Sequence, residues 1–165
     1  MSKRIRQYTG LLFAIMAYYM IHEGAHLVYA AIIGVFKQIN FMGVGVQIDV
    51  YAERMTDVQL GIFCLVGSVA TFVTAYVLVL FVDKIGATSS KIFKAGMYYI
   101  TIAMLLLDSI YLSILCGFFG GGDMNGISLL FPEVVVRIVY GITLAINMAI
   151  FLKIVLPKYK LVFSE

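Results

Sequence analysis

The chain has 165 residues, 62% of them hydrophobic and 13% charged, with a mean hydropathy of +1.01. A soluble domain carries about 25% charged residues, so this composition excludes an ordinary soluble protein and predicts one compact domain, 1–165, set in a membrane. The net charge of +3 comes from short Lys/Arg clusters at segment ends, as membrane topology requires, and gives no sign of a nucleic-acid partner. Cys64 and Cys116 fall inside apolar runs and suggest neither a disulfide framework nor a CxxC zinc site.

Met1–Gly10 is basic, and the apolar run Leu11–Gly34 follows. That run exceeds the about 7–15 residues of a signal-peptide core and predicts a retained first transmembrane helix. Within it His22, Glu23 and His26 spell H-E-x-x-H. On a helix, positions i and i+4 share a face, so the two imidazoles can point at one metal ion, with Glu23 beside that face as a base for water. A lone histidine on an apolar face is usually a satisfied core residue. Two of them with an adjacent Glu, at the depth of a bilayer centre, are harder to explain that way, because ionisable groups are costly there. A metal ion offsets that cost.

Phe36–Tyr51 follows. From Val44 it alternates, with Val44, Val46, Ile48 and Val50 on one parity and Gly45, Gln47, Asp49 and Tyr51 on the other. This is the period of a half-exposed strand, and the Gly43/Gly45 pair suits a bend or hairpin. Two readings stand: a hairpin that merely caps the bundle at the interface, or an edge strand that holds an extended peptide at Val44, Val46 and Ile48.

Three further runs are long enough to span, given the need for about 20 apolar residues. Leu60–Val82 has no charge, Ala95–Phe119 is interrupted only by Asp108, and Val134–Leu156 carries Arg137 and Lys153 near its ends. Pro132 and Glu133 predict a helix start, with Glu133–Arg137 at i, i+4. Gly61, Gly67, Ser68 and Ala70 read as small residues for close helix approach. Tyr18, Tyr19, Tyr29, Tyr98, Tyr99 and Tyr111 read as packing and interface anchors. Gly117–Phe131 contains Gly120, Gly121 and Gly122, which cannot form a stable helix interior. Its apolar flanks predict a segment that dips into the membrane, where irregular backbone must be buried or line a wet cavity.

The predicted fold is therefore an all-α polytopic membrane protein with about four transmembrane helices. A small β-hairpin follows the first helix and a re-entrant Gly-rich segment precedes the last. Cations before the first span, between the second and third, and after the fourth put both termini in the cytoplasm of a multi-pass protein of the cell membrane.

A catalytic zinc ion usually takes three protein ligands and keeps one position open. The chain has two histidines, so the third ligand is a carboxylate or, in second place, a cysteine. Most acids lie in loops or at segment ends; Asp108 and Asp123 do not. His22 and His26 lie roughly 18–24 Å along their span at 1.5 Å per residue. Asp108 is level with them, and Asp123 reaches that level if its segment re-enters. The residues alone leave both open.

The order of elements from Leu11 to Phe131 resembles the site-2 protease family of intramembrane zinc proteases, in a compact form. The matching residues are His22-Glu23-Gly24-Ala25-His26 and Gly121-Gly122-Asp123. The resemblance implies that Asp123 completes a site for one catalytic Zn2+ with His22 and His26, with Glu23 as the catalytic base and Asp108 as the alternative third ligand. GGGDMNG departs from the family's usual Asn-Pro…Asp-Gly spelling: Asn125 falls two residues after the Asp and there is no proline. Asn125 is a candidate hydrogen-bond donor to a substrate carbonyl or an oxyanion, or a turn residue.

The expected function is a zinc-dependent endopeptidase that cuts a transmembrane protein substrate within the lipid bilayer, with room for an oligomer or a regulatory membrane partner. Two other classes stand beside it: an inactive relative, metal-binding or metal-free, that acts as a partner-binding scaffold, against which the intact Glu23 argues, and a different membrane zinc hydrolase or a metal transporter. The near absence of polar residues from Leu60–Val82 argues against the transporter.

Overall fold

The structure is a computed structural model and describes residues 3–43, 45–118 and 120–164. Four of its helices are long and apolar enough to cross a membrane. Helix α1 (Lys3–Ile32) begins within the basic N-terminal stretch and ends two residues before Gly34. A hairpin follows, of β1 (Phe36–Met42) and β2 (Gly45–Val50). Helix α2 (Asp57–Leu80) leads through the short α3 (Val82–Gly86) to α4 (Lys91–Ile110). One wide π-type turn, Tyr111–Leu115, and a tight turn, Cys116–Phe118, extend α4. The one-turn α5 (Asp123–Ile127) precedes α6 (Glu133–Ile150), which runs through a second wide turn, Phe151–Val155, into α7 (Leu156–Ser164). That wide turn lies just before Pro157, which has no N–H to give to the preceding turn.

Local chemistry fixes the helix starts. At α2, Gln59 N–H donates to Thr56 Oγ1 (3.2 Å) and Thr56 N–H to Gln59 Oε1 (2.9 Å), a reciprocal cap that satisfies two otherwise orphaned donors. At α4, Phe93 N–H donates to Ser90 Oγ. At α6, Pro132 sits one position earlier than the first-turn placement expected. It is the residue before the helix, and its carbonyl accepts from Val135 and Val136. Glu133 and Arg137 pair at 2.7 Å as their spacing predicted.

The hairpin is antiparallel, with Ile39 opposite Ile48 and Phe41 opposite Val46. Lys37 pairs with Asp49 across it at 3.0 Å, and this contact raises the Lys37 pKa above its ordinary value.

The bundle has two apolar clusters. One gathers Phe63, Leu112, Ile127, Val136 and Tyr140 with Ile48 of the hairpin; the other gathers Ala75, Met104, Leu105, Val82 and Val155. Ala17, Tyr18 and Ile21 of α1 pack on the second cluster, and Leu27 and Ala30 on the first, so residues 22–26 lie between the two. A Cβ on Gly10 would lie 3.0 Å from the carbonyl of Ala95, so α1 and α4 approach closely near their N-termini and run in the same direction. At the same end, Asp83 pairs with Lys158, joining the α2–α4 connection to the close of the last helix. Met20, Ile32, Leu80 and Val134 point outward at 66–80% exposure. Such a surface is a liability in water and what hydrocarbon demands.

Candidate metal centre

Tyr18, His22 and His26 follow one another at i, i+4 along α1. The Tyr18 ring stacks on His22 (centroids 5.3 Å), and His22 meets His26 edge-on at 4.9 Å. Both histidines are buried. They fit against α2 because position 67 is glycine: a Cβ there would lie 2.5 Å from His26 Nε2 and 2.7 Å from His22 Nε2. The small residue read from sequence as a helix-packing device is therefore the floor under both imidazoles.

The two carboxylates take opposite sides of His22. Asp123 Oδ2 lies 3.1 Å from His22 Nε2 and 3.7 Å from His26 Nε2. Asp108 Oδ1 lies 3.3 Å from His22 Nδ1, an ion-pair contact short of a well-aligned hydrogen bond. Asp108 is 1% exposed and accepts hydrogen bonds from the hydroxyls of Tyr18 and Thr71.

Three consecutive left-handed glycines deliver Asp123. Gly120, Gly121 and Gly122 have φ of 79°, 85° and 45°, a run that L side chains rarely adopt, and together they end α4 and turn the chain back towards the histidines. Gly121 N–H closes on the carbonyl of Cys116 at 2.9 Å. Asn125 Nδ2 donates to the Gly120 carbonyl at 3.1 Å, so this side chain fastens the glycine turn instead of facing the cavity.

Two further contacts set the site's polarity. His26 Nδ1 lies 2.6 Å from the Phe63 carbonyl, an acceptor only, so Nδ1 carries the proton and Nε2 keeps a free lone pair. Glu23 Oε2 accepts from the Ile48 backbone N–H at 3.1 Å. That N–H therefore points away from β1, and by the alternation of a strand so do the backbone groups of Val46.

A cavity of about 300 Å³ opens beside these groups, bounded by Glu23, His26 and Asp123 on one side and by Val46, Gln47 and Ile48 on the other. Val44 lies outside the described residues. Asp108 is not among the cavity's lining residues.

The donor set suits a divalent cation. One ligand atom from each of His22, Glu23 and His26 lies within 4.8 Å of the other two. Ligands about 2.0–2.1 Å from a tetrahedral ion stand about 3.3 Å apart, and the separations of 3.1 and 3.7 Å from Asp123 to the two Nε2 atoms bracket that value. Sequence reasoning missed Tyr18, Thr71 and the Phe63 carbonyl as supports of the site. Only the i, i+4 spacing of Tyr18 to His22 carried a signal.

Compared with family models, with curated proteins and with solved structures, the chain matches none.

Proposed function

We propose that the protein is an intramembrane zinc metalloprotease resembling the site-2 protease family, hydrolysing a peptide bond within or near a transmembrane segment of another protein. The observation that carries this reading is the approach of His22 Nε2 and His26 Nε2 to one carboxylate oxygen of Asp123, with Glu23, His26 and Asp123 lining one cavity. His22, His26 and Asp123 would hold the ion. When bound, zinc supplies a Lewis acid and lowers the pKa of water towards neutrality.

The chain's own groups do the rest. Ile48 N–H fixes one oxygen of Glu23, leaving the other to take a proton from the attacking water. The water oxygen bonds to the scissile carbonyl carbon, the C–N bond breaks, and Glu23 returns the proton to the leaving amine. A helical substrate hides its peptide bonds and must extend locally. The outward backbone groups of Val46 offer an edge to hold it so, with Val46 and Ile48 side chains beside it. Both termini lie in the cytoplasm in this reading, because the cation-rich connections gather at the end where Asp83 meets Lys158.

Wild type and Glu23→Gln, purified and assayed for metal content and for cleavage of a transmembrane reporter, test the scheme. Glutamine still accepts from Ile48 N–H but takes no proton. Metal retained with cleavage reduced at least roughly 100-fold is expected; cleavage undiminished in the variant overturns it.

A further inference from the structure

We infer that Asp108 is a positioning residue that orients His22 towards the ion and is not itself a metal ligand. The inference rests on the metal-site reading above and assigns a role to a buried carboxylate which that reading leaves unused.

Three observations carry it. First, the two ring nitrogens of His22 are divided: Nε2 meets Asp123, which also lies 3.7 Å from His26 Nε2, and Nδ1 meets Asp108 on the opposite side of the ring. An imidazole has one lone pair to give when neutral, so a proton on Nδ1, on the side of the ring where the Asp108 carboxylate lies, leaves Nε2 free for metal.

Second, the Asp108 oxygens are occupied. Oδ1 accepts from Tyr18 and faces His22, and Oδ2 accepts from Thr71. A carboxylate 1% exposed inside a spanning helix is costly unless hydrogen-bonded on all sides. Here donors from α1 and α2 surround a group on α4.

Third, the support is specific to one histidine. His26 has its own acceptor, the Phe63 carbonyl, on the corresponding nitrogen. Each imidazole thus has one buried oxygen at Nδ1 and turns Nε2 towards Asp123. A structural ion pair would not need both rings arranged alike.

Asp108→Asn discriminates. Thr71 keeps an acceptor on the remaining oxygen, while an amide nitrogen in place of Oδ1 no longer accepts from Tyr18 and, facing Nδ1, favours the proton on Nε2, the wrong tautomer for a ligand. The full chain in micelles is titrated with Co2+ and Zn2+ against a competing chelator, and the Co2+ ligand-field spectrum is recorded. Expected are one metal per chain in Asp108→Asn with affinity lowered roughly 10- to 100-fold and an altered spectrum, and loss of stoichiometric binding in Asp123→Asn. Tyr18→Phe and Thr71→Val each remove one donor to Asp108 and should weaken binding by a smaller factor; these two decide the matter if Asp108→Asn does not fold.

Affinity and spectrum unchanged in Asp108→Asn, or in both donor variants where that protein does not fold, overturn the inference. So does metal lost from Asp108→Asn but kept by Asp123→Asn, which makes Asp108 the ligand. A wild-type chain that binds neither ion overturns this inference together with the metal-site reading. A chain that binds metal as expected but cuts nothing overturns the protease reading alone.

Discussion

His26 Nδ1 and the carbonyl oxygen of Phe63 stand 2.6 Å apart, joining the metal motif on α1 to the backbone of α2. A backbone carbonyl cannot be mutated away, which makes this the most durable constraint on the site. It fixes the His26 tautomer whatever the neighbouring side chains do, and so leaves the lone pair on Nε2.

Zinc should therefore stabilise the folded chain, and only through intact ligands. At a free concentration 100-fold above Kd a single site contributes about 2.7 kcal/mol. Thermal melts in detergent should rise on adding Zn2+ for wild type and stay put for His26→Ala. An equal rise in both would place the ion elsewhere.

Gly67→Ala sets a methyl group 2.5–2.8 Å from ring atoms of both histidines. The rings must swing or α2 must retreat. Overpacking of this kind costs about 1–3 kcal/mol, and metal affinity should fall with it by at least tenfold. Isothermal titration of the variant, beside Gly24→Ala as a control with nothing within 4 Å of the added methyl, measures the difference.

Gly122→Ala keeps Asp123 but spoils its delivery. The backbone there has φ 45° and ψ −125°, and an added Cβ would collide with the Tyr111 hydroxyl. Strain of this sort costs about 1–3 kcal/mol. The expected result is metal binding weakened towards that of an Asp123 deletion, although every ligand is present in the sequence. Binding at wild-type strength would mean that the glycine turn does not place the carboxylate.

The two parities of β2 should respond differently to proline. Val46 directs its N–H away from β1, so Val46→Pro removes a donor from the open edge and leaves the ladder intact. Cleavage of a transmembrane reporter should drop at least tenfold with metal content unchanged. Gln47→Pro removes a ladder donor facing Asn40 and should loosen the hairpin itself, visible as faster proteolysis of Phe36–Val50. Val46→Pro at full activity would remove the strand from substrate binding.

Much of this architecture was legible in the sequence, for reasons that differ by residue. The four long helices follow from apolar runs, and the hairpin from the alternation at Gly45–Val50, both set by local period. The meeting of His22 and His26 follows from i, i+4 spacing alone. The division of labour between Asp108 and Asp123 was not legible. From Gly10 to His22 is 12 residues and from Ala95 to Asp108 is 13, so two parallel helices bring Asp108 level with His22 whichever nitrogen it meets. Depth along a helix says nothing about which side of an imidazole a carboxylate reaches. The Phe63 carbonyl was hidden because every residue has one. Asn125 was ambiguous because a side chain that braces a turn and one that reaches a substrate have the same composition.

The run of left-handed glycines has one more consequence. Because the chain reverses directly after α4, the carboxylates on both flanks of His22 belong to one continuous stretch, Asp108 within the helix and Asp123 just beyond its end. That stretch grips α1 like a two-jawed clasp. Inside a bilayer, where apolar burial gives helices little reason to prefer one another over lipid, a polar clasp sets the stagger of α1 against α4. A slip of one residue along the helix axis, about 1.5 Å, would draw both jaws off the ring together, so the alignment of these two helices and the readiness of the site are a single variable.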